Sequence, residues 1–316
     1  MPRDERHPGP RPVRWPSERQ PPQPRPDTCR TCPARKAPGQ ASFSRETVGK
    51  LEITGKCQLT CTHCLSESSP QATHGTMAPE DWRAVIVDAA ALGIRSVQLI
   101  GGEPTVHPNW REFTDLGLSL GLHVEIYSNL FHVAPGWWEV FERDGVTLAT
   151  SYYSDDPAEH DKITGRDGSY ARTRCNIWEA ITRGITLRAG IVDILPGQRV
   201  TEAVAELESM GVTAIKTDRV RAVGRAALPG TAPSLDELCG RCTRGRAAVL
   251  PNGDLTGCVL SRGFPAGNVR ETRLANLLGG KAWHDLAARI PAPRAACPPD
   301  DSNDCTPAST DSCDPQ

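Results

Sequence analysis

An excess of charge of either sign is missing from this chain. Its 36 Lys and Arg against 38 Asp and Glu leave a formal net charge of −2 over 316 residues. Nothing global therefore points to nucleic acid or a membrane surface as a partner. No apolar run approaches the ~20 residues that a membrane span needs. The N-terminus has no apolar h-region, so no secretory signal is expected and the cytoplasm is the expected compartment. Residues 1–46 carry many Pro and Arg and almost no large apolar side chains. They cannot bury a core, and the expectation is a largely disordered segment.

Cysteine, by contrast, is plentiful, with twelve in the chain. In a small secreted protein that number would suggest disulfides. In a chain this long without a signal they read better as metal ligands in a reducing compartment. Cys29 and Cys32 form a CxxC within the N-terminal segment, either a metal half-site, a redox pair or a stray pair. The densest set is Cys57-Gln58-Leu59-Thr60-Cys61-Thr62-His63-Cys64, spaced C-x3-C-x2-C. Three thiolates so close can converge on one inorganic centre. A [4Fe–4S] cube has four irons, each wanting a ligand, so three cysteines leave one iron open to something that is not protein. A zinc knuckle and a disulfide pair are the other readings, but zinc wants four ligands and this loop supplies them only if His63 joins.

Period and punctuation place this loop in an α/β fold. Val48 to Thr54 alternates as a strand and runs into Cys57. Pro79 suits a helix first turn, with Glu80 and Asp81 at the positive end of its dipole. Trp82, Val85, Ile86, Ala89 and Ala90 then share one face, and Gly93 ends the helix. Further strands are expected at Ser96–Ile100, His123–Tyr127, Thr147–Tyr153, Thr186–Ile194 and Ala214–Val220. Helices are expected between them near Asn109–Leu120, Trp137–Phe141, Ser169–Arg183 and Val200–Met210. Six strand–helix alternations with short links predict a parallel sheet with helices outside, a partial (β/α)6 TIM-like barrel. In that architecture function gathers at the carboxyl ends of the strands. Cys57, Cys61 and Cys64 follow strand one, and Gly101, Gly102 and Glu103 follow strand two. Ser128 and Asn129 follow strand three, Ser151 lies on strand four, and Arg219 and Arg221 close strand six.

The Cys57–Cys64 loop resembles the CxxxCxxC signature of the radical SAM enzymes, and the likeness extends over about residues 48–228. It implies that the open iron binds S-adenosylmethionine (SAM). An electron passed to the sulfonium would then release a 5′-deoxyadenosyl radical. Gly101-Gly102-Glu103-Pro104 resembles the family's GGEP motif, which contacts the SAM amino group. By the same resemblance Ser128 and Asn129 stand at ribose-contacting positions, and Ser151 near the SAM carboxylate. The segment His160-Asp161-Lys162-Ile163-Thr164-Gly165-Arg166 looks like that of peptide-modifying members, except that Thr164 stands where those carry Arg. The carboxylate-binding role then falls to Arg166, Arg172 or Arg174. Gly224-Arg225-Ala226 resembles a junction that follows strand six in members with a C-terminal cluster domain.

A second cysteine set follows. Cys239 and Cys242 form a CxxC knuckle, and an Asn252-Gly253 hairpin turn leads to Cys258. The C-x10-G-x4-C spacing resembles the start of SPASM and twitch auxiliary-cluster domains, although the dense cysteine run that usually follows is missing. The resemblance implies a second iron–sulfur cluster on Cys239, Cys242 and Cys258 with Cys297 as fourth ligand, while a zinc ribbon is the plainer reading. Cys305 and Cys313 are further ligands or part of an acidic tail. Cys175 is either a buried structural thiol or a hydrogen-atom donor to a substrate radical.

The expected organisation is a segment 1–46, a barrel over 47–228 and a small cysteine-rich domain over 229–316. The expected activity is peptide modification: a thioether or carbon–carbon crosslink, or epimerisation. The expected partners are a precursor peptide, a reductant such as flavodoxin or ferredoxin, and a separate leader-binding protein, since residues 1–46 do not read as a peptide-recognition domain. The alternatives are a radical SAM dehydrogenase or maturase of a small molecule or cofactor, and a non-catalytic zinc or iron–sulfur protein.

Overall fold

The computed structural model describes residues 48–292. Cys29, Cys32, Cys297, Cys305 and Cys313 lie outside the described residues. Six parallel strands come first: β1 (Val48–Thr54), β2 (Ser96–Gly101), β3 (His123–Tyr127), β4 (Val146–Ser151), β5 (Leu187–Asp193) and β6 (Ala214–Arg219). Between them run α1 (Pro79–Ala91), α2 (Trp110–Ser119), α3 (Trp138–Phe141), α4 (Pro157–Thr164), α5 (Ser169–Thr182) and α6 (Val200–Ser209). The chain then adds β7 (Arg246–Val249), β8 (Leu255–Thr256), α7 (Leu274–Leu278) and α8 (Lys281–Arg289). The strand order is β6-β5-β4-β3-β2-β1-β7-β8. This is the expected partial (β/α)6 barrel, with one addition. β7 pairs parallel with β1, so the chain after β6 extends the same sheet, and β8 returns antiparallel as a hairpin.

Strand periodicity divides the sheet into two faces. Leu51, Ile53, Val97, Leu99, Val124, Ile126 and Leu148 are buried in the main apolar core. Each such side chain stabilises the fold by about 1.5–3 kcal/mol relative to exposure. Helix α1 adds Trp82, Val85, Ile86 and Ala89 to that core. The alternate strand positions carry charge. Lys50 and Glu52 are buried on β1. Arg188 on β5 grips the Glu125 carboxylate on β3, with Nε at 2.7 Å from Oε1 and Nη2 at 2.8 Å from Oε2. Burial alone would raise the Glu125 carboxyl, yet the Arg188 guanidinium holds it below its usual range. Arg262 reaches back from beyond β8 to Glu52, at 3.1 Å to each oxygen.

Two local features differ from the sequence expectation. β4 stops at Ser151 rather than Tyr153, because the chain turns there into a helix that the periodicity does not suggest. That helix, α4, is capped by Asp156, whose side chain accepts the Glu159 N–H at 2.8 Å. Pro157 opens it and Gly165, at φ +66°, closes it. The Asp-Pro-x-Glu start and the closing Gly were the available signal; the eight residues between carry too few apolar positions to show a face.

Candidate active site

The cysteine loop leaves the end of β1 and is held from three sides. The Cys57 N–H donates to Ser69 O at 3.1 Å. Thr60 N–H donates to Thr164 O at 3.0 Å and Thr62 N–H to Ile163 O at 2.9 Å, so the loop docks on the carboxyl end of α4. The contact is close enough that a Cβ on Gly165 would sit 2.5 Å from Thr60 Oγ1. On the third side the Gly224–Ala226 turn lies against the loop, and Arg225 N–H donates to Cys64 O at 3.0 Å. The sulfurs receive N–H groups as well. Leu59 N lies 3.4 Å from Cys57 Sγ, Ser68 N 3.4 Å from Cys64 Sγ, and Asn129 Nδ2 3.5 Å from Cys57 Sγ.

The Gly101-Gly102-Glu103 turn is sewn to the same loop. Gly102 N–H donates to Thr54 O at 2.7 Å and Glu103 N–H to Lys56 O at 2.8 Å. A Cβ on Gly102 would come within 2.3 Å of the Lys56 carbonyl oxygen, so this approach requires glycine. The Glu103 carboxylate is fully buried and turned inward. It accepts Asn129 N–H at 2.8 Å, Thr105 N–H at 3.1 Å and Thr105 Oγ1–H at 2.7 Å. Asn129 Oδ1 in turn accepts from Gln58 Nε2 at 3.2 Å, which ties the end of β3 to the cysteine loop. Ser128 is buried, and its Oγ accepts Leu130 N–H at 3.1 Å. Ser151 Oγ lies 3.1 Å from the Tyr127 hydroxyl.

These strand ends surround one open cleft of about 1300 Å³, its solvent-filled mouth included. Cys57, Cys61 and Cys64 line it together with Gly101, Gly102, Asn129 and Ser151. Lys50 and Glu52 also line it, as do Arg219 and Arg221 at the end of β6 and Val259 and Leu260 beyond Cys258. Arg221 is buried against Asp218, with Nη2 at 3.0 Å from both carboxylate oxygens.

Burial dominates the electrostatics of the cleft. It pushes the Cys57 thiol far up and the Cys61 thiol to about 12, with repulsion from Cys64 adding to the latter. A cation bound to such sulfurs would deprotonate them outright. His63 and His160 also line the cleft, and burial lowers each to about 4, so both are neutral near pH 7. His63 Nδ1 and His160 Nε2 are buried without a protein partner. His160 Nδ1 lies 3.1 Å from Ser169 Oγ.

The remaining sequence candidates lie elsewhere. Glu103 is not among the residues lining the cleft, and its oxygens are spent on backbone and hydroxyl donors. Arg166 and Arg172 stack on Phe131, at 5.3 and 4.8 Å from its ring centre, and do not line the cleft. Arg174 pairs with Glu206 at 2.6 Å. Cys175 is exposed on α5, beside Tyr170, Arg174 and Trp178 in a separate shallow groove. It is therefore neither a buried structural thiol nor a side chain of the cleft wall. Cys242 and Cys258 are buried with their sulfurs 2.7 Å apart, and Cys239, on the knuckle with Cys242, is half-buried. Sequence reasoning passed over Lys50, Glu52, Tyr127 and Tyr153, which all line the cleft. Strand alternation alone could have put Lys50, Glu52 and Tyr127 on one face, but not said that this face encloses the cleft.

The donor set fits an iron–sulfur cluster with one open iron. Three thiols line one cleft, backbone N–H groups point at two of the sulfurs, and a glycine cradle stands beside the loop. Among the described residues no three Cys, His, Asp or Glu side chains converge closely enough for a single ion. A [4Fe–4S] cube seats each thiolate on a separate iron and does not need them to.

Comparison with known proteins bears on this arrangement. A family model described as the radical SAM superfamily matches residues 51–210. A PqqA peptide cyclase from Ruegeria pomeroyi is 31% identical over 145 residues, covering 45% of this chain and 38% of that protein. The antilisterial bacteriocin subtilosin biosynthesis protein AlbA from Bacillus subtilis is 28% identical over 155 residues, covering 48% of this chain and 34% of that protein. The chain thus spans little more than a third of the length of these relatives. The crystal structure of Streptococcus suis SuiB bound to the precursor peptide SuiA superimposes with a TM-score of 0.64, at 15% identity, over 79% of this chain and 67% of that one. That likeness is one of fold.

Proposed function

The chain belongs to the radical SAM superfamily, and from that premise we propose that it modifies a ribosomally made peptide by hydrogen-atom abstraction. The observation that carries the reading is the single cleft in which the three thiols of the cysteine loop meet the glycine turn after β2 and the polar ends of β3 and β4. Two relatives whose names concern peptide cyclisation and bacteriocin biosynthesis support a peptide as substrate.

In this reading Cys57, Cys61 and Cys64 hold a [4Fe–4S] cluster. When bound, the cluster and SAM together supply the 5′-deoxyadenosyl radical. The chain's own part is to bind, orient and exclude water. Gly101 and Gly102 let backbone come close to the SAM amino group. Asn129 and Ser151 offer polar side chains to the rest of the cofactor, and Glu103 keeps Asn129 in place through its backbone. The charged side chains of Lys50, Glu52 and Arg221 in the cleft lining orient the peptide, while Val259 and Leu260 offer it apolar surface. Cys239, Cys242 and Cys258, with Cys297, would hold an auxiliary cluster, and its chemistry there would be to provide an acceptor for the second electron of a crosslinking oxidation. The chain works in a reducing cytoplasm with a flavodoxin- or ferredoxin-like reductant, and a separate protein presents the leader of the precursor.

The test is anaerobic reconstitution with iron and sulfide, followed by SAM, dithionite and candidate precursor peptides. 5′-Deoxyadenosine together with a peptide mass change of −2 Da, or a stereochemical change at constant mass, is expected. No 5′-deoxyadenosine from a protein that carries its iron would overturn the reading.

A further inference from the structure

The loop that presents the three thiols is braced by a residue far from it in the chain. The Arg225 guanidinium donates through Nη1 to the carbonyl of Cys61 and through Nη2 to the carbonyl of Ser68. Its own N–H donates to the carbonyl of Cys64 at 3.0 Å. One residue therefore ties the middle, the end and the exit of the cysteine loop, across 164 residues of sequence in the case of Cys61. The residue before it makes the approach possible. Gly224 has φ +60°, and a Cβ there would lie 2.4 Å from Cys64 O and 2.5 Å from Leu65 O. Only glycine lets the strap sit this close.

Arg225 is half-buried, and no carboxylate is paired with it among the described ion pairs. Its bonds go to neutral carbonyls, so its full positive charge faces the loop. Arginine keeps that charge at any working pH, and its planar fork suits two carbonyls at once. A fixed cation beside a cluster favours the form with the extra electron. The strength of the effect grows as the surroundings become less polar.

We propose that Arg225 is a positioning residue that sets both the shape of the cysteine loop and the reduction potential of the cluster seated on it. This rests on the radical SAM reading above. The charge makes the cluster easier to reduce, and the double bridge keeps the sulfurs in place when its charge changes.

The experiment compares wild type, R225K and R225Q, reconstituted anaerobically. Iron and sulfide are counted, the cluster midpoint is read by EPR-monitored redox titration, and iron loss to a chelator is timed. R225Q should hold iron but titrate at a more negative potential. R225K, which keeps the charge and loses the fork, should titrate near wild type. Both should lose iron severalfold faster than wild type. R225Q with full iron and a wild-type midpoint would overturn the proposal. Should R225Q take up no cluster, R225K decides: a wild-type rate of iron loss overturns the proposal and a faster one supports it. A wild-type protein that binds no cluster would sink the functional reading itself, which separates the two failures.

Discussion

The Glu103 carboxylate, fully buried, accepts the backbone N–H of Asn129 at 2.8 Å and so joins the turn after β2 to the end of β3. The same carboxylate satisfies Thr105 N–H and Oγ1–H. Glu103→Ala would leave these donors buried and unpaired. The expected cost is about 2–3 kcal/mol of stability, by the usual penalty for stranded polar groups. Urea denaturation measures it. Glu103→Gln retains an acceptor and should lose less.

Gly102→Ala places a Cβ 2.3 Å from the Lys56 carbonyl, which is backbone and cannot swing aside. The turn must lift away from β1. Iron bound per chain should stay near wild type while SAM affinity falls tenfold or more, about 1.4 kcal/mol. Equilibrium dialysis with labelled SAM on the reconstituted protein checks the split. A joint loss of iron and SAM would mean that the loop itself had collapsed.

The two cysteine sets should separate by function. Replacing Cys57, Cys61 and Cys64 together by Ala should abolish 5′-deoxyadenosine formation and remove about four irons. Replacing Cys242 and Cys258 should spare SAM cleavage and stop product formation. Anaerobic iron assays and chromatography of both products read the outcome.

Acid should weaken the fold in a defined window. Burial lowers His107 and His160 from 6.5 to about 4. Between those values the unfolded chain binds more protons than the folded one, so the stability these two groups contribute falls as pH drops from 6.5 and levels off below about 4, where the depressed Glu125 carboxyl takes over the loss. Removing one of these imidazoles with His160→Asn should make the melting temperature less pH-dependent across that window. Thermal melts of wild type and variant at matched ionic strength supply the comparison.

Much of the fold was readable from period and punctuation. Val48 to Thr54 and His123 to Tyr127 hold the limits expected of them, and α1 buries the Trp82–Val85–Ile86 face that its spacing predicts. Local rules sufficed because each strand–helix unit carries its own pattern and the links are short. α4 escaped because it is defined by its caps and not by a face. The length of β4 was overestimated because Tyr152 and Tyr153 read as strand, whereas Tyr152 N–H makes one last bond to Gly190 O at 3.0 Å before the chain turns toward that helix.

By itself the sequence determined the kind of site. Three thiols at C-x3-C-x2-C spacing, two glycines after a strand and polar residues after the next two are local facts, and the barrel rule gathers them at one mouth. Only the tertiary structure decided which of those groups face the cleft. It turned Glu103 inward, put Arg166 and Arg172 on Phe131, left Cys175 on an outer surface and brought Arg225 onto the cysteine loop. The physical reason is range. Strand and turn signals act over a few residues, whereas the direction in which a side chain points at a strand end depends on which distant backbone it meets, and that is settled only when the sheet closes around it.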